Sequence, residues 1–195
     1  MGLLRKCFLP LFLLCKYSAF ATNLGTTVCG IQEKNFGPSQ NNCLISPLSI
    51  ESALSIVYPG AAGNTANQIS TVLGYPNATS QTPSQVFLDY QQLQKRLERE
   101  NPGGTKALVH CANRLYIRHD LELNDNFTAL VEDLAVVVDM NHPETPRTIN
   151  DWVSAKTNGR ISSVVNNLKN TDVLIVNAMY LKAEWDHRFP MINSG

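Results

Sequence analysis

The stretch Val173-Leu-Ile-Val-Asn-Ala-Met-Tyr-Leu-Lys-Ala-Glu-Trp185 contains an almost unbroken apolar run with one amide side chain, that of Asn177, in its middle. Because the apolar residues from Val173 to Leu181 do not alternate with polar ones, the run predicts a strand buried on both faces. A buried amide costs a few kcal/mol unless it is hydrogen-bonded. Asn177 is therefore either bonded within the core or placed at a solvated end of the strand.

Three helices are predicted in the first part of the chain. Ser46 is a favourable N-cap for the first helix, and Pro47 is a favourable first helical residue. The spacing i, i+3, i+4, i+7 gives this helix an apolar face of Ile50, Ala53, Leu54 and Val57. Thr65 and Gln68 resemble a capping box for the second helix, and residues 84–100 form the third. The expected buried residues of the second helix are Ile69, Val72 and Leu73, with Gly74 as its C-cap.

Strands and helices alternate in the rest of the chain. Residues 107–118 predict a strand, the apolar stripe over residues 123–134 predicts a helix, and the β-branched run over residues 135–138 predicts a buried strand. Another helix begins at Thr145 and ends at Asn158-Gly159. Three helices followed by strand, helix, strand, helix and strand predict an α+β domain.

The N-terminus has the features of a secretory signal peptide. Arg5 and Lys6 precede an apolar run over residues 7–15, and Ala19-Phe-Ala21 supplies small residues at the cleavage positions. The run is too short to span a bilayer as a helix, and no later segment is apolar over the length required. The sequence thus predicts a signal peptide over residues 1–21 and a secreted, extracellular product without a membrane segment.

Removal of the signal peptide changes both the charge and the cysteine content. The full chain has 16 basic and 16 acidic residues, and the signal peptide contains three basic residues and no acidic one, so the mature net charge is −3. This balance argues against nucleic acid as a partner. Cys29, Cys43 and Cys111 remain, so either one disulfide forms within the chain or all three stay as small buried side chains.

The sequence contains no catalytic or metal-binding motif. The patterns G-x-S-x-G, H-E-x-x-H and C-x-x-C are all absent. The four histidines are scattered, and none lies at metal-ligand spacing from another ligand residue. We therefore expect a protein that is not an enzyme and that uses neither a metal nor a cofactor.

Five segments resemble the serpins, a family of serine protease inhibitors, and they occur in the family's order within residues 42–189. In chain order they are Asn42-Cys-Leu-Ile-Ser-Pro-Leu-Ser-Ile50, Gly60-Ala-Ala-Gly-Asn-Thr65, Ala112-Asn-Arg-Leu-Tyr116, Ile149-Asn-Asp-Trp-Val153 and Asn177-Ala-Met-Tyr-Leu-Lys-Ala-Glu-Trp185. The resemblance implies the N-terminal half of the serpin fold, an α+β arrangement of helices with the first strands of a large central sheet.

The resemblance also implies roles for individual side chains. The residue that matches Asn177 lies in the serpin shutter, under the centre of the large sheet, near serines that match Ser46 and Ser49. Polar side chains there can keep two strands separable, where a dry apolar contact would lock them. Trp185 matches a tryptophan in the breach, at the top of the same strand. Without the resemblance, Asn177 is a core or strand-end amide and Trp185 an ordinary core residue.

Residues 22–195 match an incomplete serpin domain that lacks the C-terminal sheets and the reactive loop of longer members. In inhibitory serpins the cleaved loop inserts as an extra strand and traps the protease. A chain of this sequence is therefore not expected to inhibit by loop insertion. A fragment or an incomplete gene model is the favoured explanation, and a genuine short product is the alternative.

By resemblance, the expected function is inhibition of serine (or cysteine) proteases outside the cell. The alternatives are a non-inhibitory serpin, such as a ligand carrier or chaperone, and a truncated module that acts only by binding, for example to a polyanion. Lys95, Arg96 and Arg99 lie on the helix that binds heparin-like glycosaminoglycans in some serpins. Glu98 and Glu100 dilute this charge and favour a simple solvated face.

Two N-glycosylation sequons are present, at Asn77 and Asn126. Asn77 follows Tyr75-Pro76 in a predicted surface loop and is the better acceptor. Asn126 falls in the first turn of a predicted helix, which is expected to make it less accessible.

Overall fold

A computed structural model of the chain describes residues 45–74, 82–99 and 108–183, without the side chains of residues 97–99. Several predicted features lie outside the described residues: the signal peptide, Cys29, Cys43, Asn77 and Trp185. The predicted order of helices and strands is confirmed. The elements are α1 (Pro47–Val57), a 3₁₀ turn (Tyr58–Gly60), α2 (Gly63–Val72), α3 (Pro83–Arg99), β1 (Leu108–Arg118), α4 (Asp125–Val131), β2 (Ala135–Val138), α5 (Thr145–Lys156) and β3 (Val173–Lys182).

The three strands form one mixed sheet in the order β2-β1-β3. β1 runs parallel to β2, and the connection between them passes through α4. β1 and β3 are antiparallel over ten consecutive residue pairs. Their register places Asn113 directly opposite Asn177, so the two side chains lie on the same face of the sheet.

One face of the sheet is covered by α5. Tyr116 of β1 is buried on this side, together with Ile149 and Val153 of α5. The guanidinium of Arg114 lies 4.5 Å from the centre of the Trp152 ring, which is a cation–π contact between β1 and α5. Side chains alternate along a strand, so the residues on either side of Arg114 and Tyr116 point to the other face.

The opposite face of the sheet packs against α1, α3 and α4. Leu115 and Ile117 of β1 are buried there with Ile56 of α1 and Phe87 of α3. Asn113 lies on this face by alternation and is also buried. The amide at the centre of the sheet therefore faces helices.

α1 begins where the sequence predicts, but its most buried side is different from the predicted one. The Ser46 hydroxyl accepts a hydrogen bond from the backbone N–H of Ser49 at 3.3 Å, as an N-cap does. The predicted apolar stripe, Ile50, Ala53, Leu54 and Val57, is only partly buried. The buried residues are Leu48, Ser49, Glu51, Ser52, Ser55 and Ile56. Polar residues occupy this side because it meets polar side chains of the sheet and of α3.

The predicted capping box of α2 is wrong. The helix begins three residues earlier, at Gly63 with φ of 54°, so Thr65 lies inside the first turn and no side chain caps the N-terminus. Val72 is 41% exposed, whereas Leu73 is buried as predicted. Gly74 follows the helix with φ of 81°, the left-handed conformation of a C-terminal glycine.

α4 is shorter than the apolar stripe from which it was predicted. The stripe covers residues 123–134, but the helix ends at Val131. The backbone N–H of Leu134 bonds to the carbonyl of Val131 at 2.8 Å in a turn, and β2 begins at the next residue. The last apolar residues of the stripe therefore lead directly into the strand.

β3 is not buried on both faces as its composition predicts. Val176 and Ala178 are buried, but Val173 and Leu181 at its ends are 40% and 53% exposed. Within the described residues β3 has a strand neighbour on its β1 side only. The apolar residues at the two ends of β3 are therefore exposed, at the positions where the described sheet and its covering helices end.

Candidate functional site

Two asparagines meet on the helix-facing side of the sheet. The Nδ2 group of Asn177 on β3 donates to Oδ1 of Asn113 on β1, its direct partner in the strand register. Asn113 is buried and Asn177 is half-buried. The amide in the middle of the apolar run is therefore bonded within the core, and its partner is a second amide.

Serines of α1 contact both asparagines from the helix side. Ser49 Oγ donates to Asn177 Oδ1. Ser52 Oγ accepts from Asn113 Nδ2 at 2.8 Å. Ser49 and Ser52 are three residues apart in a helix, so they lie on one side of it. α1 is thus bonded to both strands through side chains.

Gln94 of α3 completes the arrangement. Its Oε1 accepts from Asn113 Nδ2 at 3.0 Å, and its Nε2 donates to the backbone carbonyl of Cys111 at 2.6 Å. Both ends of the glutamine amide are therefore used. We refer to Ser49, Ser52, Gln94, Asn113 and Asn177 together as the polar cluster.

Little space is left around the polar cluster. The cavity that its members border has a volume of about 10 Å³, which is close to the minimum for a single water molecule. A buried donor or acceptor that loses its partner costs about 1–3 kcal/mol when water cannot replace it. The polar cluster therefore fixes α1, α3, β1 and β3 relative to one another.

Ser46, predicted to belong with Ser49 and Asn177, lies at the margin of the polar cluster. Its Oγ donates to the sulfur of Met179 at 2.8 Å while it caps α1. Met179 lies two residues beyond Asn177 on the same face of β3. The structure thus brings Ser46, Ser49 and Asn177 together along α1 and β3, and the shutter role that the resemblance assigns to them stays a prediction.

A second polar contact joins α1 and α3 beside the polar cluster. The phenol of Tyr90 donates to Oε2 of Glu51 at 3.0 Å, and both residues are buried. A carboxylate inside a helix interface needs such a donor because its desolvation is otherwise unfavourable. Tyr90 also borders the small cavity next to Asn113.

Three members of the polar cluster were not predicted: Ser52, Gln94 and Asn113. Asn113 had a partial signal, because it is an amide within a predicted strand, although His110 and Arg114 of the same strand are also polar. Ser52 had a weaker one, since it lies one turn from Ser49. Gln94 had no such signal in the sequence. Other glutamines lie beside it in the same helix, and only the tertiary contact with β1 distinguishes Gln94 from them.

The predicted surface sites on α3 and α4 are exposed where they are described. Lys95 and Arg96 are exposed, and the side chain of Arg99 lies outside the described residues. Asn126 and Thr128 of the second sequon are both exposed, while Asn77 lies outside the described residues, so the expected difference in accessibility between the two sequons stays a prediction. The first turn of α4 leaves these side chains exposed because its buried residues lie on the other side of the helix.

A group of charge contacts lies at the end of β1 where Arg118 is found. Arg118 bonds to Asp120 and to Asp172, which precedes β3. The hydrogen bond from Arg118, supported by charge attraction, holds the pKa of the Asp120 carboxyl below its usual value. The same hydrogen bond raises the pKa of Arg118.

Two features are absent from the described part of the chain. Residues 45–74, 82–99 and 108–183 contain no group of three His, Cys, Asp or Glu side chains that could hold a metal ion. None of the helices described there is long and apolar enough to cross a membrane. Cys111 is half-buried and is not in a disulfide.

The sequence matches the model of one protein family. The family model described as serpin (serine protease inhibitor) matches residues 17–193. The chain belongs to the serpin family. The match covers nearly the whole sequence, so the resemblance carried by the five segments is confirmed. The polar cluster is accordingly part of a serpin sheet and of the helices behind it.

Two curated relatives place the chain among serpins with different properties. Serine protease inhibitor 42Dd of Drosophila melanogaster is 31% identical over 159 residues, which are 77% of this chain and 41% of the relative. Corticosteroid-binding globulin of Oryctolagus cuniculus is 32% identical over 158 residues, 78% of this chain and 40% of the relative. The chain thus spans about two fifths of the length of these serpins.

The fold comparison agrees with the family. The crystal structure of cleaved kallistatin complexed with heparin matches with a TM-score of 0.69 and 27% sequence identity, over 87% of this chain and 50% of that one. Helices with part of a mixed sheet are therefore the N-terminal portion of the serpin fold, as predicted.

Proposed function

We propose that residues 22–195 are the N-terminal part of a secreted serpin that inhibits serine (or cysteine) proteases by inserting its cleaved reactive loop into the sheet. Family membership and the relative named as a serine protease inhibitor support this proposal. The observation that carries it is the polar cluster between α1 and the β1–β3 pair.

The polar cluster suits a sheet that has to move. Ten residue pairs join β1 to β3, so the two strands behave as one unit over α1. Their central contacts with α1 are single hydrogen bonds, each of which contributes about 1 kcal/mol net, and water can replace them once movement of the strand pair has opened the space around them. Interdigitated apolar side chains would instead leave cavities when displaced. The polar cluster therefore holds the strand pair on α1 at rest but opposes its movement less than an apolar contact would, and separation of β1 from β3 is not required.

The side of β3 away from β1 is where an added strand would pair. No described strand occupies it, and an extended peptide adds to a sheet through unpaired backbone groups. An inserted reactive loop would then shift the β1–β3 pair across α1, and Ser49 would exchange its bond to Asn177 during that shift.

The test uses the native protein isolated from its source. Its mass after deglycosylation, compared with that of residues 22–195, establishes which segments accompany this chain. The protein is then incubated with a panel of serine and cysteine proteases, alongside the same proteases with their nucleophiles blocked. We expect loss of protease activity and a complex that survives SDS only with an active protease. Cleavage of the protein without such a complex would argue against inhibition.

A ligand carrier is the second candidate, and the similarity to corticosteroid-binding globulin favours it. That relative is as similar to this chain as the protease inhibitor is. Equilibrium binding of a radiolabelled corticosteroid to the native protein tests the carrier function directly. Saturable binding together with a negative protease assay would support the carrier over the inhibitor.

Binding to a glycosaminoglycan is a minor alternative, raised by the heparin in the kallistatin structure. Lys95 and Arg96 are exposed on α3, but the acidic neighbours of this helix favour a solvated face. We therefore expect little retention of the native protein on heparin at physiological salt. Strong retention that Lys95→Ala and Arg96→Ala abolish would establish the glycosaminoglycan site.

Secretion is proposed from the signal peptide over residues 1–21. Expression of the whole reading frame in a secretory host should give a product in the medium whose N-terminal residue is Thr22. Replacing Leu13 and Leu14 with arginine should retain the product in the cells, since it interrupts the apolar run. Equal export of this variant would contradict the signal-peptide assignment.

A further inference from the structure

Gln94 bonds α3 to both a side chain and a backbone group of β1. It accepts from Asn113 at 3.0 Å and donates to the Cys111 carbonyl at 2.6 Å. β2 pairs with β1 only from Leu115 onward, so Cys111 lies in the part of β1 that has a described strand partner on one side. The glutamine thus bonds β1 where a second partner strand is absent from the described sheet.

The hydrogen bonds of the polar cluster form a chain that runs in one direction. Ser49 donates to Asn177, Asn177 to Asn113, and Asn113 to Gln94. Gln94 then donates to the carbonyl of Cys111. Because an amide offers donors at one end and an acceptor at the other, the orientation of each side chain fixes that of the next. Bonds in such a chain also strengthen one another.

We propose that Gln94 is a positioning residue through which the seating of α3 controls how firmly β3 is held on α1. Gln94 of α3 and Ser52 of α1 share the Nδ2 group of Asn113, which leaves the Oδ1 atom of Asn113 directed at Asn177. Asn177 in turn keeps its own Oδ1 directed at Ser49. Displacement of α3 therefore removes one of the two acceptors that orient Asn113 and weakens the hold of α1 on β3, although α3 and β3 are joined only through β1 in this chain of bonds. This positioning role of Gln94 is separate from inhibition, and it applies whether or not the protein traps a protease.

A substitution at Gln94 can separate its positioning role from a general loss of stability. Gln94→Met keeps the length and the apolar stem of the side chain but removes both hydrogen bonds. Gln92, on the exposed side of the same helix, provides the control Gln92→Met. A second variant, Gln94→Glu, retains acceptors for Asn113 and loses the donor to Cys111, so it remains informative if the methionine variant folds poorly.

The readout is amide hydrogen exchange of the full chain, followed by mass spectrometry. We expect Gln94→Met to speed exchange in β1 and in β3 residues 174–179 by about tenfold, because both hydrogen bonds of Gln94 are lost. Exchange in α2 and α5 should not change, and Gln92→Met should have no effect. Faster exchange confined to α3, an equal rise throughout the chain, or no change would each overturn the proposal.

A double-mutant cycle gives an independent test. Gln94 and Asn177 both bond to Asn113. If Gln94 acts through Asn113, the combined Gln94→Met and Asn177→Ala variant should lose less protection in β3 than the product of the two single effects. Multiplicative effects would overturn the coupling. No protease is involved, so this outcome is independent of the inhibitor assay.

Discussion

Asn177 uses both ends of its amide, and both of its partners border a nearly closed space. Removing it leaves the Ser49 hydroxyl and the Oδ1 atom of Asn113 without these bonds. We expect Asn177→Ala to lower the free energy of unfolding by about 1–3 kcal/mol. Urea denaturation measures this, with Asn64→Ala on the exposed side of α2 as the control. Equal effects of the two substitutions would show that the hydrogen bonds contribute nothing specific.

Ser52 and Ser55 form a matched pair, because both hydroxyls are buried in α1 but they bond to different elements. Ser52 accepts from Asn113 at 2.8 Å, whereas Ser55 donates to the Ser52 carbonyl of its own helix at 2.7 Å. We expect Ser52→Ala to cost about 1 kcal/mol and Ser55→Ala clearly less, since that carbonyl lies within a helix. The comparison is made by urea denaturation. A larger loss for Ser55→Ala would contradict this account of α1.

Asn126 is an exposed glycosylation sequon residue in the first turn of α4. Its side chain and that of Thr128 are exposed, so an N-glycan can be attached without unfolding α4. We expect protein secreted from a eukaryotic host to lose mass on treatment with peptide N-glycosidase, and Asn126→Gln to remove one glycan. Asn64→Gln, at an exposed asparagine outside any sequon, is the control. An unchanged glycan mass in Asn126→Gln would mean that the site is not used.

At the scale of single elements, α1 and β3 show what local sequence patterns do not predict. The spacing of apolar residues predicted the position of α1 but not its buried side. The most buried side of α1 carries serines, because these contact the asparagines of the sheet. Composition located β3 but overestimated its burial, since burial depends on which elements cover each end of a strand. Both errors concern contacts between elements distant in sequence, such as Ser49 and Asn177. Local periodicity contains no information about those contacts.

The end of β1 supports a prediction about acid stability. Arg118 holds the pKa of Asp120 below the ordinary value of 3.8. A carboxyl with a lowered folded-state pKa stabilises the fold above its unfolded pKa, and this contribution is lost as the pH falls through the folded pKa. We expect Arg118→Gln to weaken the acid-side decline in stability below about pH 4. Unfolding is followed by circular dichroism from pH 2 to 7.

Salt provides the control for the Arg118 prediction. Arg118, Asp120 and Asp172 are exposed or half-exposed, so added salt should screen their attraction and reduce the difference between the variant and the original chain. The variant Arg147→Gln removes another exposed arginine, on α5, that has longer contacts with acidic residues. An acid-side change of the same size in Arg147→Gln would mean that overall charge, and not the contact at β1, is responsible.

At the scale of the whole molecule, the order of elements and the family could be predicted, and the polar cluster could be predicted only in part. Element order follows from local spacing and caps, and the family from five ordered segments. Asn177 was identified because an amide in an apolar run requires a partner. Gln94 could not be identified, because its role depends on α3 lying against β1, a contact that no local pattern specifies. The fold determines which of several equivalent side chains enters the site.

The open side of β3 leads to a prediction for residues 22–195 expressed alone. A ten-residue strand without a described neighbour on one side, and with Val173 and Leu181 exposed at its ends, offers unpaired backbone groups to a second copy. We expect concentration-dependent association in size-exclusion chromatography with light scattering. Val173→Lys with Leu181→Lys should reduce it, because charged side chains oppose edge-to-edge pairing.

Val137→Lys is the matched control, since Val137 is 65% exposed on the short strand β2 at the opposite edge of the sheet. Four residues offer fewer backbone groups than ten, so this change should leave association almost intact. If Val137→Lys were as effective as the two β3 changes, charge alone would explain the result. If the chain stayed monomeric at every concentration, the β3 edge would have to be closed by residues beyond those described. The reactive-loop proposal would then need another point of entry into the sheet.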